Sequence, residues 1–244
     1  MSMARTPNPV ALAPSSKNVP TSTAPGSWAI ADGSIEALKW VALVLMVGDH
    51  VNKYLLHEAS GSLYALGRLV MPIFGFVLMH NLCRPAALAR GVHVRVMKRL
   101  VAFGMLSTPA FAYLVGWWPL NILLTLLVAT LIVFLWDRGG TARRLLAIMV
   151  FVFGGALVEF WWPALLCCLG AWAFLKRPTA LRLTLWAMAT ASLAVINGNF
   201  SALIALPLIW SATRVVIPTP RLRWVFYAFY PAHLTALALL LALR

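Results

Sequence analysis

Charge is what this sequence has least of. Only 11% of its 244 residues are Asp, Glu, Lys or Arg, against 62% hydrophobic, and mean hydropathy is +0.86. That is too little charge to solvate a globular surface, so the composition points to a polytopic membrane protein. Cysteine is scarce too. Cys83, Cys167 and Cys168 make no disulfide framework and no zinc-type spacing, and no metal is expected. No internal repeat pairs the two halves, which argues against transporters built on inverted repeats. Residues 1–33 lack an apolar stretch long enough for a cleaved signal peptide. Rich in Pro, Ser, Thr and Ala, they read as a disordered tail before a single domain, 34–244.

What is abundant is long apolar sequence. Nine segments stand out, at about 36–56, 63–82, 95–115, 119–136, 143–159, 162–176, 181–197, 200–215 and 224–243. The fold class expected is all-α, a transmembrane helical bundle of about nine spans. The fifth and sixth segments are separated only by the corner Glu159-Phe160-Trp161-Trp162, so the odd count rests on that split.

A formal charge of +14 would suggest nucleic acid as the partner of a soluble protein. Here the basic residues follow the loops instead, and no nucleic acid is expected. Arg5, Lys17 and Lys39 precede or open the first segment; Arg84, Arg90, Arg95, Lys98 and Arg99 follow the second. Arg138, Arg143 and Arg144 follow the fourth, Lys176, Arg177 and Arg182 the sixth, and Arg214, Arg221 and Arg223 the eighth. In alternating topology these 17 of the 20 Lys and Arg share one side, which the positive-inside rule makes cytoplasmic. The N-terminus is then cytoplasmic and the C-terminus outside. The corners with Trp117-Trp118 and Trp161-Trp162 fall at the outer interface, where Trp is enriched as a headgroup anchor.

The first segment is unusual. Trp40 to Gly48 is unbroken apolar sequence, and Asp49, His50, Asn52 and Lys53 then arrive before the helix has crossed. At ~1.5 Å per residue, Asp49 and His50 lie roughly 15 to 20 Å from the point of entry. An ionisable residue at that depth costs on the order of 3 kcal/mol, so it needs a partner or a purpose. At ~100° per residue Asp49 and His50 diverge on the helix surface, so each needs its own neighbour. Asp49 pairs with Lys53 or a nearby Arg in one reading; in the other, the two form a working site.

Other polar residues gather from the midplane outward. Arg68 sits inside the second segment, as a counter-ion for Asp49 or a site residue. Pro109 should kink the third segment and free backbone carbonyls. Asn121 opens the fourth, as a helix cap or a site residue. Glu159 and Asn197 end the fifth and seventh on the outer side, and His233 follows Pro231 near the middle of the ninth. His57 and His93 read as loop histidines, and His80 as an interface residue.

These residues occur within recognisable motifs: Asp32-Gly33-Ser34, Leu38-Lys39-Trp40, Asp49-His50-Val51-Asn52-Lys53, Gly67-Arg68-Leu69 with Pro72-Ile73-Phe74, Arg99-Leu100, Leu120-Asn121-Ile122 with Thr125-Leu126, and Phe229-Tyr230-Pro231-Ala232-His233-Leu234. In this order, over about 32–240, the chain resembles the TraX family, conjugation-associated membrane acetyltransferases that N-acetylate pilin. The resemblance implies a multi-pass protein of the bacterial inner membrane that moves an acetyl group from acetyl-CoA to the N-terminal amine of a pilin-like membrane subunit. His50 would act as general base or as nucleophile, with Asp49 orienting a partner or favouring the imidazolium. Arg68, Asn121 or His233 would meet the oxyanion, with Asn52, Lys53 and Glu159 also on the substrate side. Arg95, Lys98 and Arg99 would hold the CoA phosphates, although positive-inside bias accounts for those charges equally well. The competing class is a proton-coupled carrier of small molecules. A purely structural assembly factor would leave the buried ionisable residues without a role.

Overall fold

In lipid a spanning backbone must satisfy its own hydrogen bonds, so apolar runs of this length fold as helices. The computed structural model, which describes residues 30–243, is helical throughout and contains no strand among those residues. Helix α1 is Asp32–Tyr54, α2 Gly61–Gly67, α3 Val70–Leu82, α4 Val92–Leu114, α5 Ile122–Arg138 and α6 Thr141–Leu157. Then come α7 Trp161–Lys176, α8 Ala180–Ala191 and α9 Ala194–Asn197, a 3₁₀ turn at Ser201–Ile204 leading into α10, Ala205–Ala212, and α11, Arg223–Ala242. Because α1 begins at Asp32, the last residues assigned to the tail are helical; residues 1–29 of that tail lie outside the described residues.

Two of the nine apolar segments are broken helices. The second breaks at Arg68 and Leu69, between α2 and α3. Pro72 supplies the reason, since its missing N–H and its ring both fall on the carbonyl of Arg68 one turn earlier. The seventh breaks at Ser192 and Leu193, between α8 and α9. Each broken pair still forms one rod, so the nine segments appear as nine helical rods among the described residues. Three of them, Gly61–Leu82, Ala180–Asn197 and Trp224–Ala242, are long and apolar enough to cross a membrane. Trp161–Lys176 and Ser201–Ala212 are apolar but shorter. Pro109 and Pro231 lie within the continuous helices α4 and α11. Around Pro109, the hydroxyls of Ser107 and Thr108 donate to the carbonyls of Phe103 and Gly104.

Side-chain contacts sort the rods into two ends. At one, Arg84 pairs with Asp32, Lys176 with Asp137, Ser34 donates to the carbonyl of Val215, and Arg99 lies over Trp224. The Arg84 hydrogen bond holds the exposed Asp32 carboxyl below the usual carboxylate range. At the other end, Tyr64 Oη donates to the Asn197 carbonyl, Trp118 stacks on Trp161, and Leu120 exchanges backbone hydrogen bonds with Leu157 and Glu159. Helix α11 runs parallel to α1, because Trp40 meets Phe226 and His50 meets His233. The core is aromatic at its centre, with the Trp186 ring between those of Phe76 and Phe174. Outside it, Met105, Leu106, Ile148, Phe153, Leu181 and Met188 are all more than half exposed. Apolar flanks of this extent suit hydrocarbon, not water.

Candidate active site

Asp49 and His50 lie on α1 and, diverging as helix geometry requires, take partners from opposite directions. Asp49 faces the break between α2 and α3, where Arg68 Nη2 donates to both carboxylate oxygens at 2.7 Å. The pair is largely buried, with side chains 14% and 16% exposed. Arg68 is fixed further by its Nε, which donates to the Tyr64 carbonyl at 3.2 Å, and by the Tyr64 ring beneath its guanidinium. Among the described residues nothing takes its Nη1. Gly67 makes the approach possible, because a Cβ there would fall on the Asp49 carboxyl.

His50 turns to α11. Its Nδ1 lies 2.7 Å from His233 Nε2, with ring planes 6° apart. A nitrogen separation that short rules out face-to-face stacking, so the imidazoles meet edge to edge and share one hydrogen bond. In a neutral pair one ring donates and the other accepts. If His50 Nδ1 carries the shared hydrogen, its Nε2 is a free lone pair. Phe229 lies one turn back on α11 with its ring 5.4 Å from that of His233, fixing the orientation.

Asp49, His50 and Arg68 all line one cavity of about 450 Å³. Glu159, Asn197 and Tyr230 line it near the same end. The α6–α7 corner that holds Glu159 is stiff: its amide donates to the Leu120 carbonyl at 2.8 Å, and Thr125 Oγ1 donates to its carbonyl at 3.1 Å. Phe160 and Trp161, which follow, adopt left-handed backbone with φ of 60° and 47°, a conformation L residues keep only when their surroundings enforce it. The two helices joined here are distinct, so the split of the fifth and sixth segments stands.

At its other end the cavity is rimmed by Lys39, Arg84, Arg90, Arg95, Arg99 and Arg221. Carboxylates answer only part of that charge. Lys39 pairs with Glu36 at 2.7 Å, Arg221 approaches Glu36 at 3.8 Å, and Arg84 meets Asp32. Arg90, Arg95 and Arg99 form no salt bridge among the described residues. They bond to the backbone or lie over aromatic rings. Lys39 and Asp49 line the two ends from one helix, ten residues or about 15 Å apart.

The structure thus brings together Asp49, His50, Arg68, Glu159 and His233, with Arg95 and Arg99 at the far rim. It does not bring in the rest of the sequence-derived set. Asn52 is committed to the loop after α1: its Nδ2 donates to the Ser60 carbonyl at 3.0 Å and its Oδ1 accepts the Ser60 amide at 2.9 Å. Asn121 is buried and caps α5, accepting the Leu123 amide and donating to the Gly104 carbonyl and Thr108 Oγ1. Lys53 and Lys98 are exposed and outside the cavity lining. His93 is not in a loop; it is buried near the start of α4, 3.9 Å from Asp137. Sequence reasoning missed Gly67 as the residue admitting Asp49, Tyr64 as the shelf under Arg68, and Lys39, Arg84, Arg90 and Arg221 as rim. Gly67 alone carried a signal, a glycine beside a buried arginine. Among the described residues, no three His, Cys, Asp or Glu side chains are grouped as a metal would require.

No curated protein and no solved structure matches the chain. The sequence model of a family described as TraX protein matches residues 34–241. That match runs from the first turn of α1 to the last turn of α11 and takes in every helix of the bundle, and on it this chain belongs to the TraX protein family.

Proposed function

We propose that this protein is an acetyltransferase of the bacterial inner membrane, moving the acetyl group of acetyl-CoA to the N-terminal amine of a pilin-like membrane subunit in conjugation. The observation that carries this is the cavity, with the His50–His233 pair toward one end and unanswered arginines at the other. Three arginines without carboxylate partners among the described residues suit the phosphates of a nucleotide thioester. The distance along α1 from Lys39 to Asp49, about 15 Å, matches in scale the arm joining a CoA diphosphate to its sulfur. With the basic end cytoplasmic, and nine spans placing the C-terminus outside, the donor enters from the cytosol and the acceptor from the opposite face.

In this reading His50 Nε2 takes the proton of the amine as nitrogen attacks the thioester carbon. Arg68 Nη1 meets the oxygen that becomes negative. Collapse of the tetrahedral intermediate breaks the C–S bond, and His50 returns the proton to the departing sulfur. His233 is a positioning residue: accepting the His50 Nδ1 hydrogen, it holds the tautomer whose Nε2 is free and stabilises the imidazolium. Asp49 keeps Arg68 in place. A proton-coupled carrier also uses buried ion pairs, and it is the outcome that the test separates.

The test is thiol release from acetyl-CoA by the purified protein in proteoliposomes, with an apolar peptide bearing a free N-terminal amine. The wild type should acetylate the peptide, and His50→Ala should lose roughly 10²- to 10⁴-fold in rate while inserting normally. Full activity in His50→Ala removes that residue from the mechanism. Absence of thiol release from the wild type favours the carrier.

A further inference from the structure

Glu159, in the α6–α7 corner, and Asn197, at the end of α9, both line the cavity, and each keeps acceptor capacity unfilled among the described residues. Asn197 is 4% exposed and lines the cavity, yet its side-chain Oδ1 has no hydrogen-bond partner among the described residues. Its backbone is held: the carbonyl accepts from Tyr64 Oη at 2.9 Å and from Asn199 Nδ2 at 3.3 Å. A buried amide oxygen without a donor costs on the order of 1–3 kcal/mol. Glu159 lines the same cavity and forms no salt bridge among the described residues. Of the two cations that act on it, Lys53 is exposed and forms no salt bridge with it, and Arg68 is already bound to Asp49 through Nη2. Its neighbour toward α5 is the backbone amide of Ile122, a single neutral donor.

A carboxylate and an amide oxygen, both acceptors and both facing one buried space, define the ligand by what they lack. It must bring several N–H donors and a positive charge. We infer that Glu159 and Asn197 form the acceptor subsite, a cradle for a primary ammonium. This rests on the acyl-transfer reading and adds the residues that hold its acceptor amine, which enters charged. Glu159 holds the ammonium and takes its first proton, leaving a neutral amine whose lone pair can attack. The second proton goes to His50 as the C–N bond forms and leaves on the thiolate sulfur as the C–S bond breaks. Glu159 gives up its proton when the uncharged amide departs. The cradle discriminates twice: a hydroxyl brings no charge for Glu159, and an acetylated amine brings neither charge nor enough donors, so the product is released.

Direct binding tests the subsite apart from the chemistry. The probe is a short apolar peptide with a free N-terminal amine and a C-terminal fluorophore, compared with its N-acetylated twin, on the full-length protein in nanodiscs. The wild type should bind the free amine about tenfold tighter or more, as a charge-assisted contact provides. Glu159→Gln should remove the preference, Asn197→Ala should narrow it, and both variants should bind labelled acetyl-CoA as the wild type does, which shows that they are folded. Equal binding of both peptides to the wild type, or an undiminished preference in Glu159→Gln, overturns the subsite. A preference that follows the prediction, in a protein that transfers no acetyl group, supports the subsite and counts against the transfer reading alone.

Discussion

Removing both members of the Asp49–Arg68 pair should cost clearly less than the two single losses added together. Arg68 Nη2 bridges both Asp49 oxygens at 2.7 Å, and the two side chains are only 14% and 16% exposed. Asp49→Leu strands a guanidinium and Arg68→Met strands a carboxylate, each in a space with little water to replace the lost partner. Breaking a buried pair from one side costs about 3–5 kcal/mol. The pair borders a cavity and keeps some solvent access, so about 3 kcal/mol is the expected loss for either variant. The double variant leaves no stranded charge and should lose less than the sum by at least about 1.5 kcal/mol. The assay is unfolding in mixed micelles followed by tryptophan fluorescence, with the four proteins forming a double-mutant cycle. Losses that add to within about 0.5 kcal/mol would mean that the pair contributes no coupling, and the argument from burial would fail.

Gly67→Ala should destabilise by about 1–3 kcal/mol, because its Cβ falls on the Asp49 carboxyl and helix α2 must shift; an unchanged unfolding midpoint in the same micelles would show that the approach is looser than described. Reporter fusions that need export should be active after Leu243 and inactive near Arg90; a silent C-terminal fusion would mean an even number of spans.

How far the site could be read from sequence depends on the range of each contact. The 100° step of a helix was enough to state that Asp49 and His50 need different partners, and Arg68 was nameable as one because buried carboxylates need cations. That His233 is the other was not legible. The contact joins residues 183 positions apart, and only the parallel docking of α11 on α1 creates it. Asn52 misled for a local reason. It lies on the polar face, but α1 ends two residues later and the returning chain needs its amide. Asn121 likewise satisfies a helix start. The basic rim was hidden by a competing explanation: positive-inside bias would account for the basic loops as a group, so pattern alone cannot separate Arg84, Arg90 and Arg221 from Lys98. Rods and their order were legible because apolar length is a one-dimensional property, whereas the break at Arg68 needed Pro72 to be read one turn backward.

The distance in sequence between the two histidines also sets an order of events in biogenesis. His50 is synthesised with the first helix and His233 with the last, so the imidazole pair closes only after every intervening helix has been made. A ribosome-bound chain, or one truncated before α11, carries Asp49 and Arg68 but no completed pair. In the proposed mechanism the base is therefore assembled only once α11 has been made, and a nascent chain without that helix cannot turn on neighbouring amines. For the same reason α11, supplied in trans to a chain ending near Arg214, is the natural fragment with which to restore the histidine pair.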